Sequence, residues 1–77
     1  MRDSDRSKFV ELANKRVSKT LTLLRLIGNL SNRSNYDYTE EDVAKIFRAL
    51  QGEMAKCRKR FDTAIKKQRG DSKFVLE

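Results

Sequence analysis

Apolar residues recur at alternating steps of three and four in two separate stretches, and this spacing constrains the fold more than any other feature. Val10, Ala13, Val17, Thr20, Leu24 and Ile27 form the first run; Val43, Phe47, Leu50, Met54, Cys57, Phe61 and Ala64 form the second. A 3.5-residue period sustained over about three heptads is that of an α-helix with one stripe to bury. No useful stretch alternates with the period of two that a strand requires. The spacing predicts an all-α chain with a helix over about 5–30 and a loop over about 31–38. A second helix follows over about 39–69, and a loose tail over 70–77.

Residues that start and stop helices flank both runs. Ser4 or Ser7 can cap the first helix. Gly28-Asn29 and then Ser31-Asn32-Arg33-Ser34-Asn35 break the pattern with turn-forming residues. The two Asn-x-Ser sequons at Asn29 and Asn32 are short enough to arise by chance, and both fall in this turn chemistry. Thr39 is placed to cap the second helix, with Glu40, Glu41 and Asp42 in a first turn that favours carboxylates. Asp42 stands where a capping box normally has Glu, so an imperfect box is expected. Tyr38 and Val43 have the spacing of a hydrophobic staple across that cap. Gly70 would end the helix after the basic run Lys66-Lys67-Gln68-Arg69.

Two long helices joined by about eight residues become antiparallel neighbours. Such a coiled-coil-like hairpin brings Ile27 beside Val43, Leu24 beside Ile46 and Phe47, and Thr20 beside Leu50. Val17 then meets Met54, Ala13 meets Cys57, and Val10 meets Phe61, so that large side chains tend to face small ones. One partner helix does not cover everything, however. Leu21, Leu23, Leu24, Leu26, Ile27 and Leu30 point almost all round the first helix, and Ile46 widens the stripe of the second at that level. Either Tyr36 and Tyr38 fold over the excess in a monomer, or a second hairpin covers it in a four-helix homodimer. The dimer is expected. Leaving several leucines wet forgoes roughly 1.5–3 kcal/mol for each side chain that could be fully buried.

Size leads to the same expectation. Seventy-seven residues make one domain at most, near the lower limit for a chain to offset its own entropy. A single cysteine rules out an internal disulfide, and the absence of histidine and of a cysteine cluster removes a zinc site. Association is the remaining common stabiliser. The lone thiol suits a reducing compartment, and the polar N-terminal stretch does not resemble a signal peptide, so a cytoplasmic protein is expected. No apolar run approaches the roughly 20 residues of a membrane span, so no membrane role is expected.

An enzyme is not expected either. There is no histidine, no glycine-rich phosphate loop and no carboxylate pair in an evident cleft. Cys57 occupies a stripe position with no base to activate it, and no cofactor site is apparent. The informative chemistry is charge. The chain carries a net charge of +7, and its distribution is uneven. Residues 1–19 and 56–73 together hold fourteen basic and five acidic side chains, whereas residues 20–55 hold four and five. A hairpin sets those two terminal segments side by side, making a basic open half and a near-neutral, apolar loop half.

Two candidate surfaces follow. Lys15, Lys19, Arg58, Lys59, Arg60, Lys66, Lys67 and Arg69, with Lys8 nearby, lie mainly outside the stripes and suit contact with a phosphate backbone. The competing account is a solvated basic face that keeps a small bundle in solution. Leu21, Leu23, Leu26, Leu30, Tyr36, Tyr38 and Ile46 form a candidate protein interface, for a second copy or an unidentified partner. The competing account there is a loop whose asparagines cap a helix and whose tyrosines cover leucines. Gly52 falls on the outer face of the second helix, where it costs about 1 kcal/mol relative to alanine. Arg69-Gly70-Asp71 spells an adhesion tripeptide that a helix end explains better.

The segment Arg25-Leu26-Ile27-Gly28-Asn29-Leu30-Ser31-Asn32-Arg33-Ser34-Asn35-Tyr36, followed by Tyr38-Thr39-Glu40-Glu41-Asp42-Val43, resembles one found in short bacterial proteins, some from mobile elements. The resemblance covers about a quarter of the chain and implies a bacterial setting, with no activity attached. The architecture is also similar to the Rop family of plasmid copy-number regulators, and Thr20-Leu21-Thr22-Leu23-Leu24 is similar to a run in their first helix. That likeness implies a dimer of hairpins and an RNA ligand. The loop here is longer than theirs, and the likeness implies no site residues.

Overall fold

The computed structural model describes residues 2–69, and among them it contains two α-helices and no strand: α1, Arg2–Asn29, and α2, Glu40–Arg69. The expected all-helical chain is observed. Gly70 as a helix stop, the Arg-Gly-Asp tripeptide and the loose tail over 70–77 lie outside the described residues. The chain divides into two units, Met1–Asp37 and Tyr38–Glu77, each built around one helix.

In the first unit, α1 begins earlier than the serines suggested. Its first turn carries Asp3 and Asp5, whose negative charge complements the helix N-terminus. Ser4 and Ser7 therefore stand inside the helix and cap nothing. Thr20 sits in the apolar run without an unpaired hydroxyl, because its Oγ1 donates to the Arg16 carbonyl at 2.8 Å. The helix closes by tightening. Leu30 and Ser31 donate their backbone N–H groups to Ile27 and Gly28, each at 3.0 Å, in the three-residue pattern that satisfies terminal carbonyls. Asn32 then organises the loop. Its Oδ1 accepts from the Ser34 amide at 3.0 Å, while its carbonyl accepts from Asn35 at 3.1 Å and Tyr36 at 3.0 Å.

In the second unit, the start of α2 is better made than its sequence suggested. The Asp42 amide donates to Thr39 Oγ1 at 3.1 Å, and the Thr39 amide donates to Asp42 Oδ2 at 2.9 Å. Both halves of the capping box are present. Aspartate, one methylene shorter than glutamate, still reaches back across the turn. The helical ladder begins at once, with the Val43 amide donating to the Thr39 carbonyl at 3.2 Å. Thr39→Ala and Asp42→Ala are each expected to cost about 1 kcal/mol in urea unfolding, whereas Asp42→Glu should cost little. An Asp42→Ala chain as stable as the parent would show that the reciprocal bond contributes nothing.

Among the described residues no side chain is buried. Only Leu12, Ala13, Ile27, Tyr38 and Leu50 are half-buried; every other residue from 3 to 68 is exposed. Cys57, expected at a packed stripe position, is exposed as well. No helix of the described residues is long and apolar enough to cross a membrane.

Candidate functional site

A helix turns by about 100° per residue, so the two helices can be compared face by face. On α2 the apolar residues from Val43 to Ile65 fall on one side, Ile46 included, and that side is continuous along the helix. α1 differs. Its heptad run from Val10 to Ile27 is flanked by a second line, Phe9, Leu12, Leu23, Leu26 and Leu30, at the same steps of three and four. Arg16 and Lys19 interrupt this line midway. Leu21 lies on the other flank of the heptad run. A helix with apolar lines on two sides has more to bury than one neighbour can cover.

Of the residues picked out as a protein interface, Leu23 and Leu26 thus share one line of α1, with Leu30 at the next step in the turn just past the helix, while Leu21 does not belong to it. Tyr36 is exposed and Tyr38 half-buried in the segment leading to the α2 cap. Phe9 and Leu12 belong with the leucine line but were missed, because the two basic residues break the pattern. The Arg6 guanidinium lies 5.9 Å from the Phe9 ring centroid, a cation–π contact on that same line.

The cationic residues also separate by side. Lys59, Lys66 and Lys67 lie far from the apolar stripe of α2, as do Lys45, Arg48 and Lys56. Arg58 sits on a flank, where its Nε meets Asp62 Oδ1 at 3.2 Å. Lys56 Nζ lies 3.5 Å from Glu53 Oε2. Both pairs are exposed, so each is worth only a few tenths of a kcal/mol. Among the described residues no carboxylate pairs with Lys15, Lys19, Lys45, Arg48, Lys59, Arg60, Lys66 or Lys67. The side chain of Arg69 is outside the described residues.

No protein-family model, curated protein or solved structure matches this chain. The site must therefore be read from its own chemistry. Among the described residues no group of histidine, cysteine, aspartate or glutamate side chains could hold a metal ion. The arrangement offers two things: exposed apolar lines, and cations that among the described residues have no carboxylate within ion-pair distance.

Proposed function

We propose that the chain is a non-enzymatic helical interaction module, an antiparallel hairpin that pairs with a second copy into a four-helix bundle and meets its partners through protein–protein contacts. The observation that carries this reading is the exposure of the heptad stripes of both helices and of the second apolar line of α1. Isolated helices gain little stability in water from propensity alone; burial of an amphipathic face supplies most of it. The α2 stripe matches the heptad run of α1. The remaining line of α1, with Leu21, Tyr36, Tyr38 and Ile46 near the loop, is left for another copy or another protein. The lone thiol supports a cytoplasmic setting, and the likeness of the loop segment to short bacterial proteins supports a bacterial one.

Sedimentation equilibrium over a wide concentration range tests the association. The expected species has twice the 9.0 kDa mass of the chain. A helical species that stays at the monomer mass at high micromolar concentration would sink the dimer.

A second reading is nucleic-acid binding by that dimer through its basic open end. It is favoured by the lack of carboxylate partners around Lys15, Lys19, Lys59, Arg60, Lys66 and Lys67 among the described residues. The resemblance of Thr20-Leu21-Thr22-Leu23-Leu24 to a run in the Rop family supports it, with paired RNA as the expected ligand. Phosphate contacts of this kind give salt-sensitive affinity with little base readout.

A further inference from the structure

The side of α2 opposite its apolar stripe has a composition that solubility alone does not require. Lys45, Arg48, Lys56, Lys59, Lys66 and Lys67 follow one another there over roughly 30 Å of helix. Glu53 lies on a flank, Asp62 stands as far from the midline as Lys67 does, and Glu41 stands on this side one turn before Lys45, so cations outnumber carboxylates there six to two. Along its midline the only interruptions are Gly52 and Thr63. Gly52 is the second observation. It sits at the centre of a helical segment, where glycine is less favourable than alanine. A Cβ built on it meets nothing within 4 Å, so among the described residues no neighbour excludes a side chain there.

A missing side chain at the middle of a cationic face suits something that approaches the helix backbone closely and carries negative charge on both sides of that point. We propose that this face binds the sugar–phosphate backbone of a duplex nucleic acid, with Gly52 admitting the strand between the cations at 48 and 56. The inference rests on the nucleic-acid reading above. It moves the contact from the open end of the molecule to the length of α2, and adds Lys45, Arg48, Gly52 and Lys56.

Other occupants fit less well. A lipid surface would need the apolar stripe, which the proposed bundle covers. A protein partner normally supplies and receives aromatic or branched anchors, and this face has no apolar residue larger than alanine. Single strands are usually held by aromatic stacking, and no aromatic residue lies here. A duplex backbone asks only for spaced cations and close approach.

The test is a fluorescence anisotropy titration of the full chain with a labelled DNA duplex, the RNA duplex of the same sequence, one of the single strands, and phosphatidylserine vesicles, at two salt concentrations. Both duplexes should bind with salt sensitivity, and the single strand and vesicles more weakly. Lys45→Gln with Arg48→Gln, both outside the open-end set, should weaken duplex binding roughly ten- to hundredfold near 0.1 M salt and reduce the log–log salt slope by about two. Gly52→Ala is the sharper variant. It should raise the thermal midpoint, because alanine favours the helix, yet weaken duplex binding severalfold. A Gly52→Ala chain that is more stable and binds as well as the parent would overturn the inference. Retained binding after the Lys45 and Arg48 changes would do the same, moving the contact back to the open end and leaving the nucleic-acid reading intact. Absence of duplex binding at low salt would remove both, and preferential binding to vesicles would assign the face to a lipid surface.

Discussion

Leu23→Asp combined with Leu26→Asp should leave the chain monomeric and largely unfolded at concentrations where the parent is a helical dimer. Both leucines are about half exposed on α1 and lie on its second apolar line. If that line stayed in solvent, two aspartates would cost little beyond helix propensity, under about 1 kcal/mol each. In the proposed dimer each position is buried, and two-fold symmetry counts it twice. Loss of roughly 1.5–3 kcal/mol per leucine, over four side chains, weakens association by at least about four powers of ten. Circular dichroism and sedimentation would read the two effects together. The monomer with a tyrosine-covered tip gives a different pattern. There Tyr36→Ala with Tyr38→Ala lowers helicity, while the aspartates leave sedimentation unchanged.

What the sequence revealed was local, and what it concealed was not. The period of the apolar residues gave both helices. The α2 boundary was legible to within a residue because its cap, its first-turn carboxylates and its reciprocal bonds all lie between Thr39 and Val43. The start of α1 was harder to read. Ser4 and Ser7 have the chemistry of caps, but a serine can also stand within a first or second turn, and Asp3 and Asp5 support the helix from further upstream. The second apolar line of α1 was half visible. Its leucines near the loop stood out, while Arg16 and Lys19 hid its continuation to Leu12 and Phe9.

The cationic site was blurred for a related reason. Grouping charges by segment joined Arg58 to Lys59, although one lies beside Asp62 on a flank and the other on the far side of α2. The same grouping passed over Lys45 and Arg48, which belong to that far side but stand in a near-neutral stretch of sequence. Gly52 was noticed as costly. Its meaning depends on what surrounds it, and only the geometry of the helix shows open space there.

Ala13→Cys should form an internal disulfide with Cys57 under mild oxidation and stabilise the chain by about 4 kcal/mol, the chain-entropy value for a loop of this length. The parent has one cysteine, so a single added thiol can form only one internal bridge. Cys57 is exposed, and its reactivity is therefore not limited by access. The antiparallel pairing proposed above would set Ala13 opposite Cys57. Val10→Cys and Val17→Cys, one step along the same run, should cross-link more slowly and so report the register. Non-reducing electrophoresis separates an internal bridge, which speeds migration, from a bridge between copies, which doubles the mass. Bridges only between copies, from all three variants, would mean that α1 finds its α2 partner in another chain. No bridge from any of them would mean that the two stripes do not meet, and the hairpin would fall. A fast internal bridge at position 13 alone would establish both the direction of the second helix and its register.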